Sequence, residues 1–455
     1  MSQNPRQLAF LTLRLIYRTG FADVELDKAL RQHELSEADR RLFTELVYGT
    51  VRRQRTLDGI LDQLGKKKAQ QQPADLRIIL HLGLYQLRYL SHIPPSAAVD
   101  TTVELAKQNK FAGLAGLVNG MLRQYGRLVA AGTDPLPESN DPITHIGIEQ
   151  SFPDWIVQVW AEQIGLEETQ QLCEWLNRSP SIDLRINPLR TSIEAVEAAF
   201  EAIGVAVQRL PLLPQGLRLV NPVGPIQRLP GYGEGWWMVQ DSSAQLVGHL
   251  LNPQPGEVIV DACAAPGGKT LHLAELMQDR GKVWACDRSA NRLKKLEENA
   301  TRLQLQSIQT WAGDSREFSQ LEGQADRVLL DAPCSGLGTL HRHADARWRQ
   351  KPETVAELAT LQLELLTHAT RWVKPGGSLV YATCTLHPSE NERVIEAFLS
   401  QNSRWQIEPP DLELGLIPLT CSQGWVKVWP HRFQMDGFFM VRLRNVTKIS
   451  DPEAE

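Results

Sequence analysis

The sequence of 455 residues has no apolar run long enough to cross a bilayer, and its few cysteines form no paired pattern. A membrane-spanning helix needs about 20 apolar residues, so we expect no membrane association. The polar opening Met1–Arg6 lacks the apolar core and cleavage site of a secretion signal. The cysteines are too scattered for a zinc site or a disulfide framework. We therefore expect a cytoplasmic, monomeric protein with reduced thiols and no metal. The six cysteines stand at positions 173, 263, 286, 334, 384 and 421.

The net charge is small but unevenly distributed. Residues 1–130 contain 19 Lys and Arg against 12 Asp and Glu, a net +7, so the rest of the chain carries −12 of the total of −5. A basic amino-terminal part favours contact with a polyanion such as RNA, although a solvated helical surface explains it equally well. The basic runs 52–55 and 66–68 are predicted at helix ends or in loops, where they suit phosphate contacts.

Apolar residues recur at helical spacing in this first part. Leu8, Leu11, Leu15 and Ile16 are predicted to share one helix face, and Ser36 is predicted to cap a helix. We expect an all-α bundle of five to seven helices over residues 1–130.

The remaining boundaries follow from composition. Residues 131–143 are rich in Pro, Gly and Asp and predict a linker. Residues 144–235 predict a small α+β module, similar to the RRM-like sheets that bind RNA, and residues 447–455 predict a disordered tail. Asp241 is predicted either to lie near a ligand or to cap a helix. Residues 236–446 are expected to form an α/β doubly wound, Rossmann-like catalytic domain.

A glycine turn organises that last domain. The apolar run Val258–Val260 is followed by Asp261–Thr270, in which Pro266, Gly267 and Gly268 precede an amphipathic helix. Strand, tight turn and helix together are typical of the first unit of a doubly wound sheet, where backbone N–H groups face a ligand. A plain structural turn has the same pattern.

Three further predicted strands end in acids at the same edge of the sheet. Asp287 is at a position that suits contact with a ribose diol, and Asp314 suits an adenine-contacting loop. Asp331 is expected at the reacting end of the same crevice. The sequence lacks a P-loop, so a nucleoside without a triphosphate is favoured.

Two cysteines follow neighbouring strand ends. Cys334 comes after Asp331, and Cys384 ends the fifth predicted strand. One such thiol is usually structural, but two beside an acid indicate catalysis. A thiolate that adds to C6 of cytosine makes C5 nucleophilic, and an acid at N3 stabilises the adduct. The base must be single-stranded or flipped out to reach such a pocket.

These motifs resemble those of a known family. Asp261–Thr270, Asp331–Gly336, Thr383–Thr385, His387–Glu392 and Asp436–Met440 look like the signatures of the NOL/NOP/Sun RNA 5-methylcytosine methyltransferases. The helical first part resembles the antitermination factor NusB. The combination is similar to the bacterial Sun/RsmB type, which methylates small-subunit (16S) ribosomal RNA.

The resemblance implies a cofactor and residue roles. It implies S-adenosyl-L-methionine as methyl donor, Cys384 as the nucleophile, Cys334 as the residue that aids release, and Asp331 as the acid. The implied cofactor-binding residues are Cys263, Ala264, Ala265, Pro266, Gly267, Gly268, Lys269, Asp287, Asp314 and Asp331.

Alternatives remain open from the sequence. DNA cytosine methyltransferases use a Pro-Cys nucleophile, which would be Cys334 here. The substrate could be transfer RNA, or the chain could be a non-catalytic RNA-binding assembly factor. The basic and aromatic stretch His341–Arg349 is predicted to contact RNA or to be a solvated loop.

Overall fold

The computed structural model of the protein describes residues 4–221, 223–411 and 419–446. The predicted tail, 447–455, lies outside the described residues. By its contacts the chain forms two compact units. The first contains the residues up to Arg178 together with Leu340–Arg349, and the second contains the rest.

The first unit is helical. Ser36 caps the third helix, as predicted, because its side chain accepts a hydrogen bond from the backbone N–H of Asp39 at 3.1 Å. The helices of its amino-terminal stretch are α1 (Pro5–Ile16), α2 (Ala22–Gln32), α3 (Glu37–Arg52), α4 (Gln54–Leu64), α5 (Ala74–Tyr89), α6 (Pro95–Ala106), α7 (Ala115–Ala130), α8 (Pro142–Gln150) and α9 (Asp154–Trp175).

The predicted apolar face of α1 is partly wrong. Leu8 and Ile16 are buried in the core of the unit, but Leu11 and Leu15 are exposed. The buried face instead includes Leu13, beside other residues of the core. A 3.6-residue period admits both faces, and packing against α3 and α5 decides between them.

Helices α8 and α9 group with the first unit, whereas the sequence placed residues 142 and 143 in the linker and the rest of both helices in the small α+β module. Within α9 the helix breaks at Gly165, whose φ of +78° suits glycine.

The second unit contains two sheets. Its strands are β1 (Ile182–Ile186), β2 (Val207–Arg209), β3 (Gly216–Leu219), β4 (Trp237–Val239), β5 (Val258–Asp261), β6 (Lys282–Asp287), β7 (Ile308–Ala312), β8 (Ala325–Asp331), β9 (Val373–Thr383), β10 (Trp405–Ile407), β11 (Val426–Val428) and β12 (Phe438–Asn445). The later helices of the chain are α10 (Ile193–Glu201), α11 (Ser242–Leu251), α12 (Gly268–Leu276), α13 (Ala290–Leu303), α14 (Ala346–Arg349), α15 (Pro352–Ala369), α16 (Glu392–Gln401) and α17 (Pro430–Phe433); of these, α14 belongs to the first unit.

The smaller sheet is antiparallel, in the order β2-β3-β1-β4. With helix α10 it makes the predicted small α+β module. The core of this module is built around Trp237, which is fully buried and packs edge-on against Phe200. Alternation of apolar residues along β1 supplies the other side of that core.

The larger sheet is mixed. Its order over the described residues is β10-β12-β9-β8-β5-β6-β7, with β11 added to β12. Strands β5 to β9 are parallel, as predicted, while β12 pairs antiparallel with β9. Apolar clusters cover both faces, which is the usual arrangement of a parallel sheet with helices on each side. Within the described residues no helix is long and apolar enough to span a membrane.

Candidate active site

The turn after β5 is shaped by glycine. Gly267 has a φ of +110°, and a Cβ at this position would lie 2.7 Å from the side chain of Leu296. A larger residue would therefore be strained and would also clash. Helix α12 begins at the next residue, Gly268, so the turn directs the start of the helix toward the carboxyl edge of the sheet.

The carboxyl ends of the parallel strands surround one cavity within the second unit. The sequence-predicted site residues that line it are Cys263, Ala265, Asp287, Asp314, Asp331, Cys334 and Cys384. The predicted residues that do not line it are Ala264, Pro266, Gly267, Gly268 and Lys269. The structure thus brings the two thiols and three of the strand-end acids to one cavity, whereas the glycine turn does not line it.

Lys269 does not line the cavity but forms an ion pair with Asp331, which does. Its Nζ lies 2.7 Å from Oδ2 of Asp331 and 4.9 Å from the ring centroid of Phe438. Burial favours the neutral amine, but the Asp331 carboxylate outweighs burial and raises the pKa of Lys269 above its ordinary value. An ammonium–carboxylate pair therefore stands at the end of β8.

The two other strand-end acids are held in place by hydrogen bonds. Asp287 accepts from the backbone N–H groups of Ala265 (3.1 Å) and Ser289 (2.8 Å). Asp314 is paired with Arg316, whose hydrogen bonds lower the pKa of Asp314 to about 2. The Asp314 carboxyl is therefore ionised at neutral pH.

The thiols of Cys334 and Cys384 are in contact. Their sulfur atoms are 3.4 Å apart, within hydrogen-bond reach. The hydrogen bond to Cys384, burial and the nearby Glu390 carboxylate all raise the pKa of Cys334 well above its usual value. A charge on Cys384 also stabilises the ammonium of Lys269. The surroundings thus favour a neutral thiol at Cys334.

Sequence reasoning did not single out Glu390. This residue is fully buried, and burial raises its pKa against the effect of hydrogen bonds from Ser335, Gln362 and Thr385. Glu390 lies in the stretch His387–Glu392, which is part of the family resemblance, but no role was predicted for it. Glu390 could have been predicted as a site residue, because it is an acid within a family motif and lies close in sequence to Cys384.

Two arginines of the cavity wall were also missed. Arg288 and Arg292 follow β6, and Arg292 donates a hydrogen bond to the backbone carbonyl of Ala265. Their position just after Asp287 was the available signal. Among the described residues, no group of three or more His, Cys, Asp or Glu side chains is arranged to hold a metal ion.

Asp241 caps a helix, which was one of its two predicted roles. Its carboxylate accepts a hydrogen bond from the backbone N–H of Ser243 at 2.8 Å, at the start of α11. It is not among the residues that line the cavity.

The stretch His341–Arg349 is neither an RNA-facing nor a solvated loop at Arg347 and Trp348. Arg347 is fully buried in the first unit, and its guanidinium stacks on Phe152 at 4.0 Å. Trp348 donates a hydrogen bond to the carbonyl of Val51 at 2.7 Å. The prediction fails because these basic and aromatic side chains complete a helical core.

The basic run 52–55 needs a similar correction. Arg52 is buried, and its Nη2 donates to the carbonyl of His341 at 3.1 Å. Arg55 forms an ion pair with Asp154 at 2.6 Å. The lysines of the run 66–68 are exposed after α4, so that run keeps its predicted accessibility.

Three family models match the chain. The model described as 16S rRNA methyltransferase RsmB/F matches residues 248–444, the NusB family matches residues 3–127, and an RsmF/B-like ferredoxin-like domain matches residues 152–226. The probable ribosomal RNA small subunit methyltransferase B of Synechocystis sp. is 49% identical, over 96% of this chain and 99% of its own length. The chain belongs to the RsmB/F family of 16S rRNA methyltransferases. Its fold class is the predicted one: a NusB-like helical domain, a ferredoxin-like module and a Rossmann-like methyltransferase domain of the S-adenosylmethionine-dependent type.

Other RsmB/F relatives and solved structures agree. The probable ribosomal RNA small subunit methyltransferase B of Bacillus subtilis is 34% identical, over 95% of this chain and 96% of its own length. The crystal structure of PH0851 superposes with a TM-score of 0.81 at 27% identity, over 97% of this chain and 99% of that one. The crystal structure of NSun6 from Pyrococcus horikoshii with SFG has a TM-score of 0.59 at 23% identity, over 66% of this chain and 100% of that one, and shares the fold.

Proposed function

We propose that this protein transfers a methyl group from S-adenosyl-L-methionine to C5 of a specific cytosine in 16S rRNA, through a covalent adduct between Cys384 and C6. The observation that carries the proposal is the contact of two thiols, 3.4 Å apart, at the ends of neighbouring strands. The Lys269–Asp331 pair stands in the same group of strand ends. A non-catalytic assembly factor needs none of these groups in contact.

The chain's own residues fit the methyl donor. Asp287 places a carboxylate at the end of β6 and Asp314 places one just after β7, where hydroxyl and amino groups of a nucleoside could donate to them. Cys263 and Ala265 form the wall at the end of β5, where the glycine turn keeps side chains out of the way. When bound, S-adenosyl-L-methionine would supply the electrophilic methyl group.

The surroundings of the thiols support Cys384 as the nucleophile. A nucleophilic cysteine must be a thiolate. The raised pKa keeps Cys334 protonated, so its S–H can donate to Cys384. The Pro-Cys alternative would require Cys334 to ionise first, next to the buried Glu390.

Asp331 and Lys269 act on the pyrimidine ring. As the Cys384–C6 bond forms, negative charge develops at N3, and a proton held between Asp331 and Lys269 neutralises it. After methyl transfer the S–C6 bond breaks as the C5 proton passes to solvent, and N3 returns its proton to the Asp331–Lys269 pair. The Cys334 thiol then donates to the departing Cys384 sulfur, which assists release.

The target base has to leave its stack to reach this cavity. We infer a single-stranded or flipped-out cytosine of 16S rRNA, because base atoms inside a helix are inaccessible to a thiol at the end of a strand. The relatives named as probable ribosomal RNA small subunit methyltransferase B support rRNA over transfer RNA.

The decisive assay measures transfer of labelled methyl groups from S-adenosyl-L-methionine to unmodified 16S rRNA, with transfer RNA in parallel. We expect label in 5-methylcytosine at one rRNA position. Label on transfer RNA alone would keep the chemistry and overturn the substrate. Cofactor binding without label on either RNA would overturn the enzymatic proposal in favour of the assembly-factor alternative.

A further inference from the structure

Glu390 is a buried carboxylate that joins two neighbouring loops. Its Oε1 accepts hydrogen bonds from the backbone N–H of Ser335 at 2.8 Å and from Nε2 of Gln362 at 3.1 Å. Its Oε2 accepts from the hydroxyl of Ser335 and, at 3.3 Å, from that of Thr385. The hydroxyls of Ser335 and Thr385 are themselves 2.8 Å apart. A buried carboxylate without a cation needs several donors of this kind.

The two residues that Glu390 joins are the immediate neighbours of the thiols. Ser335 follows Cys334, and Thr385 follows Cys384. One carboxylate therefore fixes the chain next to both sulfur atoms, and it does so from later in the β9–α16 connection that also contains Cys384.

Backbone pairing does not fix Cys334 by itself. The last ladder bond between β8 and β9 runs from the N–H of Ala332 to the carbonyl of Ala382 at 2.9 Å. The next residue, Pro333, has no N–H to donate. The following backbone bond between the loops, from Gly338 to the carbonyl of Cys384 at 3.0 Å, comes four residues after Cys334. The position of Cys334 thus depends on side chains.

The neighbouring Asn391 provides a contrast. Its amide accepts from the hydroxyl of Thr383 at 2.6 Å and donates to the carbonyl of Thr385 at 3.0 Å. Both contacts lie on the Cys384 loop. Glu390 differs because its contacts span the Cys384 and Cys334 loops together.

We propose that Glu390 is a positioning residue, which holds Cys334 and Cys384 in contact by binding Ser335 and Thr385 together. The inference rests on the proposed function, in which both thiols act in one reaction. Contact between the sulfurs allows Cys334 to donate to Cys384 when the adduct breaks, so loss of the contact slows release.

The test uses Glu390→Gln in the full chain. A glutamine amide nitrogen donates, so it faces hydroxyl or N–H donors where the carboxylate accepted and cannot keep all of the contacts. Glu396→Gln is the matched control, because Glu396 is exposed on α16.

The first readout is independent of RNA. In exchange with glutathione disulfide, two protein thiols lose their protons and electrons, one protein S–S bond forms, and two glutathione thiols are released. The equilibrium constant reports how close the thiols are held, and peptide mass mapping identifies the Cys334–Cys384 bond. We expect Glu390→Gln to lower this constant at least about tenfold, as expected when an oriented pair loses its fixed geometry. Glu396→Gln should leave it unchanged.

The second readout uses 16S rRNA and labelled cofactor. Glu390→Gln should prolong the lifetime of the protein–RNA adduct while cofactor affinity stays within a few-fold of the wild-type value. An exchange constant and an adduct lifetime equal to those of Glu396→Gln would overturn the inference.

Two further comparisons make the test decisive. If Glu390→Gln does not fold, Ser335→Ala combined with Thr385→Val removes the hydroxyl donors instead, and an unchanged exchange constant in that variant would overturn the inference. If the wild-type protein transfers no methyl group, the proposed function fails; the exchange constants still show separately whether Glu390 holds the thiols together.

Discussion

Cys334 and Cys384 carry the same side chain, but their neighbours differ. Cys334 lies near the buried Glu390 carboxylate, whereas Cys384 interacts with the ammonium of Lys269. Negative charge is therefore disfavoured at the first sulfur. This difference predicts distinct results when each thiol is removed.

Cys384→Ala is expected to abolish methyl transfer and adduct formation, because it removes the sulfur that attacks C6. Cys334→Ala is expected to keep attack but to accumulate the protein–RNA adduct, because the leaving sulfur loses its donor. Denaturing electrophoresis of protein with labelled rRNA measures the adduct, and calorimetry should show cofactor affinity within a few-fold of wild type.

Cys421→Ala is the control, since Cys421 does not line the cavity. An adduct that forms with Cys384→Ala and is missing with Cys334→Ala would mean that the two roles are exchanged.

Asp261, at the end of β5, predicts a pH dependence of stability. It is buried, and burial raises its pKa to about 7 despite a 2.6 Å hydrogen bond from Thr270. An acid whose pKa is raised by folding contributes stability that is present below its unfolded pKa and is lost as the pH rises through 7.

Asp261→Asn should therefore change the pH profile. Between about pH 5.5 and pH 8 the free energy of unfolding of the wild-type protein should fall by about 2 kcal/mol more than that of the variant. Urea unfolding at both pH values measures the difference. Asp100→Asn, an exposed site on α6, should follow the wild-type profile; identical profiles for all three proteins would contradict the assignment.

Strand-end residues were predictable because parallel strands open on one edge of a sheet. Asp287, Asp331, Cys334 and Cys384 could be placed at one crevice from their position after apolar runs. Glu390 could not, because its effect depends on hydrogen bonds to two loops that are separate in sequence.

At the scale of elements, β1 of the ferredoxin-like module is fixed to α12 of the methyltransferase domain by a buried ion pair. Arg185 donates from Nε and Nη2 to both carboxylate oxygens of Glu275, each at 2.8 Å, and both side chains are fully buried. Arg185 Nη1 also donates to the carbonyl of Gly268 at 2.8 Å. The pair thus holds the helix whose first turn carries Lys269.

Breaking this pair on one side should be costly. Arg185→Met leaves the Glu275 carboxylate buried without a partner, so we expect a loss of about 3–5 kcal/mol in the free energy of unfolding. Arg185→Met with Glu275→Met should recover much of that loss. Denaturant unfolding of both variants and the wild type measures it.

Arg209→Met offers a matched control in the same module, because Arg209 is 52% exposed in its ion pair with Glu197. We expect that change to leave the free energy of unfolding close to the wild-type value, because exposed ion pairs contribute little. Equal losses for Arg185→Met and Arg209→Met would contradict the claim that burial makes the first pair important.

Helices and strands could be predicted from the sequence where their apolar residues recur regularly. The parallel strands β5 to β9 were found as apolar runs followed by polar turns. The strands β2, β4, β10 and β11 were not predicted, because each spans only three residues. The longer strand β12 was not predicted as a strand either, although the motif Asp436–Met440 at its start was recognised. On α1, Leu11 and Leu15 fit the helical period but are exposed, since the period alone does not say which side meets the core.

At the scale of the molecule, the chain enters the helical unit twice. Residues up to Arg178 form most of it, and Leu340–Arg349 returns to it between β8 and α15. Local sequence predicts a surface loop here, because five of the ten residues are His or Arg. Only the folded chain shows that Ala344 and Trp348 pack in the core of that unit.

Arg347 is the centre of this return. Its guanidinium donates to the carbonyls of Arg52, Ser151, Leu176 and Leu340 and to Oδ1 of Asn177, at 3.0 to 3.4 Å. Burial lowers its pKa well below the usual value. The N–H groups of the planar Arg347 guanidinium thus bind several carbonyls at helix ends, which would otherwise be buried without hydrogen-bond partners.

Arg347→Met should therefore loosen the helical unit. It leaves several buried carbonyls without donors, which costs about 1–3 kcal/mol for each group left unsatisfied. Hydrogen–deuterium exchange should become faster in peptides from the end of α3 and from α8 and α9, while β5 to β9 keep their protection. Arg31→Met, at a site that is 79% exposed on α2, serves as the control. If those peptides exchange equally in the two variants, the segment Leu340–Arg349 does not stabilise the helical unit. Faster exchange in Arg347→Met alone would show that these ten residues, which lie within the methyltransferase sequence, complete the fold of the amino-terminal helical unit.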